Sequence, residues 1–344
     1  MNIHDLIKQH KTLFLPDIGT FFNKDVDIAL DMIKKISEAN IPVIKAEVLH
    51  DANICIDSDA LELYYSPKEG GFIKENYREL IERKVLSLDL YNKIFDKVRE
   101  YGCYLVVSVY DFEGVDFVVN QKNVLAVKIA SSNITHKPLI EYVAQTDKTI
   151  ILDTGHSTLE EISRAINWLN DAGKSDIIVQ HSPLAPPTPV DEHNLNFMKT
   201  LGNCFKLPYG LSDHHIGDEM IYAATALGAS IVEKGICPDY LEDEQDRAHA
   251  LNISQASIVQ KKINNIAKGL GGGKRALDRK REKYISRMGL VAKVDINVGD
   301  VLNKKNVGYA FPAIGVPVEY IENVLGRVVT KAVASKCPIK YTDF

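Results

Sequence analysis

The sequence predicts an α/β protein: a (β/α)8 TIM barrel followed by a small, β-rich C-terminal module. Three observations carry this expectation. Eight short apolar runs, most of them rich in β-branched residues, alternate with segments of helical periodicity. That alternation is the pattern of parallel strands joined by crossover helices. Polar and charged residues gather at the carboxyl ends of the runs, the edge on which barrels build active sites. After residue 268 the alternation stops, and a glycine cluster with a basic run (269–285) leads into a module over 286–344.

The eight runs, in order, are Leu13–Pro16, Val43–Val48, Tyr104–Val109, Val124–Ser131, Thr149–Thr154, Asp176–His181, Tyr209–Asp213 and Ser230–Lys234. Helical spacing fills most gaps: Val26–Ala39, Leu88–Tyr101, Glu113–Asn120, Pro138–Gln145, Thr158–Ala172, Asn194–Leu201 and Glu219–Leu227. In the last of these Met220, Ala223, Ala224 and Leu227 recur at helical spacing, and Gly228 is the stop signal. Ile253–Gly269 reads as a further helix. An open doubly wound sheet is the competing architecture, but Asp17-Ile18-Gly19-Thr20 is not a dinucleotide-binding turn. The C-terminal module has a turn at Asn297–Asp300, prolines at 312, 317 and 338, and a short helix near Val318–Val324. It is small for a core of its own.

Composition narrows the function classes. The 344 residues are 45% hydrophobic and 25% charged, ordinary for a soluble globular chain. A net charge of −5 argues against a nucleic-acid partner. No apolar run approaches the roughly 20 residues of a membrane span, and MNIHDLIKQHK lacks a signal-peptide core. The five cysteines are widely spaced with no C-x-x-C pair, so a reducing, cytoplasmic setting is expected.

The strand ends supply the candidate chemistry. Asp17 closes the first run, and Lys45 and Glu47 sit near the end of the second. Ser108 and Asp111 follow on the third, then Lys128, Ser131, Ser132 and Asn133 on the fourth. Asp153, Thr154, His156, His181 and Ser182 come next, and Ser212, Asp213, His214, Glu233 and Lys234 close the set. Lys45, Lys128 and Lys234 are expected to converge on one mouth among serine hydroxyls, a donor set for a phosphate plus a carboxylate. Structural readings stand beside these. Lys45 with Glu47, and Glu233 with Lys234, fit plain ion pairs. His156 and His181 fit ordinary hydrogen-bonded histidines, and Asp246 fits a solvated acidic segment.

Several stretches resemble the N-acetylneuraminate (sialic acid) synthases and their relatives for other nonulosonic acids. Tyr77–Leu86 is similar to the segment before the family's third strand, and Lys128–Thr135 resembles its K-I-A-S-G-[DE]-I-T. Thr154–Ile162 resembles T-G-M-A-T-L-E-E-I, and His181–Leu195 its H-C-T-S-x-Y-P…N-L. Tyr209–Lys234 resembles its G-x-S-D-H-T…E-K-H stretch. The C-terminal LVAKVDINVGDVLNKKNV, with Leu325-Gly326-Arg327, resembles the family's antifreeze-like (SAF) domain.

The resemblance implies an aldol-type condensation of phosphoenolpyruvate with an open-chain amino-sugar or related aldehyde, giving a nonulosonic 2-keto acid. It implies a divalent metal, manganese or magnesium, and a homodimer whose SAF domain reaches over the partner's active site. Lys45, Ser108, Lys128, Ser131 and Ser212 match phosphoenolpyruvate positions. His214 matches the first metal histidine, and Asp246 matches a sugar-contacting aspartate. Asp17 and Glu47 stand where the family has a glutamate and a glutamine. Other positions depart further: Gly235 stands for the second metal histidine, Asn133 for an acidic residue, and Phe21-Phe22-Asn23-Lys24 for N-H-N-G. Leu184 and Pro186 replace a serine or asparagine and a tyrosine, and Phe311 stands for a SAF arginine. Three readings follow: a synthase with altered substrate or metal site, a legionaminic- or pseudaminic-type synthase with unusual ligands, and a catalytically inactive paralogue that binds a ligand or partner.

Overall fold

The computed structural model describes residues 1–183, 186–241, 246–274 and 286–344. Leu184, the acidic residues just before Asp246, and 275–285 of the expected linker lie outside these. The described chain divides into two units, Met1–Gly272 and Gly273–Phe344.

The first unit opens with α1 (Ile3–His10), β1 (Leu13–Asp17), α2 (Val26–Glu38) and β2 (Val43–Val48). A hairpin of β3 (Leu61–Ser66) and β4 (Gly71–Asn76) follows, then α3 (Tyr77–Glu82) and α4 (Leu88–Glu100). The alternation resumes with β5 (Tyr104–Val109), α5 (Phe112–Val119), β6 (Val124–Ile129), α6 (Lys137–Ala144), β7 (Thr149–Asp153) and α7 (Leu159–Asp171). It ends with β8 (Ile177–His181), α8 (Asn196–Phe205), β9 (Tyr209–Asp213), α9 (Glu219–Ala226), β10 (Ile231–Cys237), β11 (Leu251–Asn252) and α10 (Ala256–Gly269). Strands β1, β2 and β5 to β10 form one parallel sheet, and β1 pairs with β10 to close it. This is the expected (β/α)8 barrel.

Its interior is ordered by the two-residue period of strands. Leu15, Val43, Val106, Ala126, Ile151, Ile178 and Ile231 share one buried cluster inside the barrel. Two residues further along each strand stand Asp17, Lys45, Ser108, Lys128, Asp153, Gln180 and Glu233. The inward face therefore changes from hydrocarbon to polar at one level around the ring. Below, Ile3 and Leu6 of α1 join the apolar cluster and plug the amino end. This helix, absent from the expected elements, is fixed by a capping box between Asn2 and Asp5.

Most expected boundaries hold to within a residue or two; the differences have local causes. The fourth run ends at Ile129, and Ser131–Asn133 turns as a 3₁₀ helix. The helix expected at Asn194 starts at Asn196 and runs to Phe205. β10 extends past Lys234 to Cys237 because β11 pairs with Ile236 and Cys237. In α9 the fully buried face is Ile221, Ala224 and Thr225, one step round from the expected stripe. Gly228 does stop it, at φ +93°.

The second unit pairs β12 (Gly289–Ala292) antiparallel with β13 (Val307–Ala310) and carries a 3₁₀ segment at Val318–Asn323. It has its own buried cluster, including Leu290, Ile296, Leu302, Val316, Val329 and Ile339. The expected turn is present: the Asp300 amide donates to the Asn297 carbonyl at 3.1 Å, with Gly299 at φ +94°.

Candidate active site

Strand register sets the site. Asp17 is level with Lys45 on one side and Gly235 on the other; Ser108 is level with Lys128, and Ser212 with Glu233. A cavity of about 160 Å³ opens at this level, at the carboxyl end of the barrel. Asp17, Lys45, Glu47, Ser108, Lys128, Ser131, Ser212, His214 and Asp246, the nine residues to which the resemblance gives a role, all line it. Of the other strand-end candidates, Asp111, Ser132 and Asn133 line a neighbouring cavity and Thr154, His156 and His181 another.

The lysines arrive already paired. Lys45 Nζ lies 2.7 Å from Asp17 Oδ2 and hydrogen-bonds Glu47, whose other oxygen accepts from Tyr110 at 2.8 Å. Lys128 Nζ lies 2.6 Å from Glu233 and 2.8 Å from Asp153. Glu233 also accepts from Ser212 at 3.3 Å and from Gln180 at 3.2 Å. All three lysines of the expected trio line the cavity, but each is already engaged by a carboxylate. Lys234 alternates with Glu233 on β10, and its ammonium turns to Asp213 at 2.8 Å and to the His215 carbonyl. Both Lys234 and Asp213 have fully buried side chains, and Asp213 accepts further bonds from His193 and the His215 amide. That pair is fully buried, not a solvated surface pair.

The carboxylates diverge in acidity. Burial pushes Asp17 up to about 7; Lys45 opposes this, and the charges of Glu47 and Glu233 add to it. Burial would raise Glu233 as well, but Lys128 and Lys45 hold it down to about 2. Asp213 likewise is held at about 2 by His193 and Lys234 against its burial. Asp17 is thus a carboxyl poised to exchange a proton near neutrality.

The histidines separate into two groups. His181 Nε2 bonds the His193 carbonyl oxygen at 2.8 Å, the plain structural role expected of it. His214 instead packs edge-on against His249, with ring centroids 4.9 Å apart, and its Nδ1 is buried without a hydrogen-bond partner. Burial lowers both, His214 to about 4 and His249 to about 3. Sequence reading missed His249; the spacing Asp246-x-x-His249 is the signal that marks it. It also missed Gln180, which the period-two rule places in the polar ring.

A second cavity, of about 630 Å³, shares Thr20, Glu47 and Asp246 with the first. Cys55 and Glu62 of the hairpin region, Tyr77 and Lys84 around α3, and Asn133 and His136 after β6 line it. Nδ2 of Asn133 is buried there without a partner.

A manganese or magnesium ion has only a partial fit to the expected ligands. Gly235 has no donor, and among the described residues no group of three or more His, Cys, Asp or Glu stands in a ligating arrangement. His214, with its unpartnered Nδ1, remains a fitting nitrogen ligand. Among the described residues no helix is long and apolar enough to cross a membrane.

Comparison with known proteins agrees with this architecture. Residues 32–275 match the NeuB family model, and residues 287–344 match the SAF domain. The N,N'-diacetyllegionaminic acid synthase of Campylobacter jejuni is 30% identical, covering 93% of this chain and 96% of that protein. A pseudaminic acid synthase of the same species is 25% identical over the full length of both. The crystal structure of a sialic acid synthetase from Leptospira borgpetersenii superposes with a TM-score of 0.68 at 22% identity, covering 78% of this chain and 88% of that one. The chain therefore belongs to the NeuB family, as a sialic-acid-synthase-like enzyme carrying a C-terminal SAF domain.

Proposed function

We propose that the protein condenses phosphoenolpyruvate with the open-chain aldehyde of an acylated amino sugar, releasing phosphate and a nonulosonic 2-keto acid. The observation that carries this reading is that the nine residues given a role by the resemblance line one cavity. Lys45 and Lys128, with the hydroxyls of Ser108, Ser131 and Ser212, offer cations and O–H donors to a phosphate and a carboxylate. The adjoining cavity of about 630 Å³ lies in the range of about 300–1,000 Å³ usual for small-molecule sites and suits the sugar chain.

C3 of phosphoenolpyruvate forms a bond to the aldehyde carbon, whose oxygen takes a proton from Asp17. Water adds at C2; one of its protons returns to Asp17. The C2–O bond to phosphorus breaks, phosphate departs, and the remaining hydroxyl loses its proton as the 2-keto group forms. A divalent metal bound beside His214 would polarise the aldehyde oxygen. Glu47 and Asp246, between the two cavities, are placed to orient the sugar hydroxyls. The reading includes a homodimer in which the SAF domain covers the partner's site; Tyr309, Phe311 and Ile314 of that domain are all exposed. Light scattering on the intact protein tests the dimer.

The test of the reaction is incubation with phosphoenolpyruvate, Mn2+ and a panel of N-acetylated mannosamine and diacetamido-hexose sugars, with phosphate release measured. Release with at least one sugar is expected. Stabilisation by phosphoenolpyruvate without turnover on any sugar would favour the inactive, ligand-binding reading. Absence of both would overturn the proposal.

A further inference from the structure

Glu47 stands where the resemblance places a glutamine, and two groups hold its carboxylate. One oxygen takes a hydrogen bond from Lys45; the other accepts from the Tyr110 hydroxyl at 2.8 Å. Tyr110 directly follows β5 and lines the larger cavity together with Glu47. Beyond Lys45 the chain of contacts continues. Its ammonium lies 2.7 Å from Asp17 Oδ2, while Asp17 Oδ1 accepts from the Gly19 amide at 2.7 Å. Lys45 therefore has two carboxylates in hydrogen-bond reach and a third, Glu233, at 3.9 Å. The Lys45 side chain is 2% exposed, so water screens this competition little; that of Glu47 is 24% exposed and has room to turn.

We propose that Tyr110 is a positioning residue: by pinning Glu47 to Lys45 it keeps that ammonium shared between two carboxylates and leaves Asp17 incompletely neutralised. For its catalytic meaning this rests on Asp17 acting as the acid of the proposed reaction. The physical basis is a competition, since a cation serving two anions favours the charged form of each less than one serving a single partner. The charged groups facing Asp17 are Lys45 and Glu47 from β2 and Glu233 from β10. Those facing Glu47 are Lys45 and Lys128. Glu233 is tied to Lys128 at 2.6 Å, so Glu47 is the carboxylate whose share of Lys45 decides how much of it Asp17 receives. Burial would raise Glu47, but Lys45 and the Tyr110 bond hold it below its usual range, so it competes as an anion. Burial and the Glu47 charge push the Tyr110 phenol well up, so it stays an O–H donor at neutral pH. Without that hydroxyl, one oxygen of Glu47 is released toward the larger cavity. Lys45 then closes on Asp17 and favours its carboxylate form.

The test titrates Asp17 directly, by 13C NMR of the full chain labelled at its aspartate carboxyls, with Asp17→Asn identifying the resonance. No substrate is needed. In Tyr110→Phe the midpoint should move about one pH unit below that of wild type. In Glu47→Gln, which removes the competing charge, it should move at least as far. Adding Tyr110→Phe to Glu47→Gln should shift it no further, because the phenol acts only through that carboxylate. Circular dichroism confirms that each variant folds, and a role in packing alone would lower the melting temperature without moving the midpoint. An unchanged midpoint in folded Tyr110→Phe, or additive shifts in the double variant, would overturn the positioning role. The pH profile of kcat/KM keeps the two readings apart. A midpoint that moves while the profile stays sinks the acid role of Asp17 alone, whereas a profile that moves with the midpoint supports both.

Discussion

Lys128 holds Oε1 of Glu233 at 2.6 Å, and the same oxygen stands 3.9 Å from Lys45 Nζ. One carboxylate oxygen on β10 thus bridges cations from β6 and β2, across the barrel mouth. On the proposed reading, phosphoenolpyruvate competes with this bridge for both lysines, which links its binding to the site's internal pairing.

Replacing Lys128 with Met should therefore do two things. It should abolish stabilisation by phosphoenolpyruvate in a thermal shift assay. It should also cost about 3–5 kcal/mol of unfolding free energy, because Glu233 and Asp153 lose a buried partner. An unchanged phosphoenolpyruvate shift would refute the assigned binding role.

Lys234→Met tests the separation of the two kinds of lysine. Its partner Asp213 is fully buried, so denaturant unfolding should show a loss of about 3–5 kcal/mol. A loss below about 1 kcal/mol would mean that the pair is not structural.

The Asp17 carboxyl faces Lys45, Glu47 and Glu233 and titrates at about 7. In its proposed role as the acid for the aldehyde oxygen, it should make kcat/KM fall as pH rises through that value. Asp17→Asn should remove this limb and slow turnover by about 10²–10⁴-fold. A limb that persists in Asp17→Asn would assign the proton to another group.

Stability should respond to pH in two opposite ways. Asp213 falls from 3.8 to about 2 on folding, so it contributes about 2 kcal/mol, present above 3.8 and lost as pH drops toward 2. Asp17 rises from 3.8 to about 7, so its contribution is full below 3.8 and is lost as pH climbs to 7. Chemical denaturation across pH should show Asp213→Asn flattening the acid loss and Asp17→Asn flattening the decline between 4 and 7. Failure of either variant to change its own limb would contradict the assignment.

Gly235→His alone should destabilise by about 1–3 kcal/mol, because Phe21 and Ala250 occupy the space it needs. Phe21→Ala in the same chain should recover part of that loss, measured by thermal melting. Additive losses in the double variant would show that the two positions do not share a volume.

The barrel was legible because each strand repeats one rule, apolar then polar at a spacing of two on the inward face. Leu15 then Asp17, and Ile231 then Glu233, are the same pattern on two strands. What was hidden depended on long-range approach. His249 meets His214 through the 3₁₀ turn at Arg247–His249, and Lys234 pairs with Asp213 because the register of β9 and β10 sets the two level. The hairpin of β3 and β4 escaped notice because Leu61, Leu63 and Phe72 are exposed and leave no core signal.

The most direct test of the account is stoichiometric: with phosphoenolpyruvate, Mn2+ and the best sugar of the panel, phosphate and 2-keto acid are quantified in the same reaction. The account predicts equal amounts of both, each dependent on the sugar. Phosphate released without a 2-keto acid of the sugar's extended chain, or neither product with any aldehyde, would contradict it.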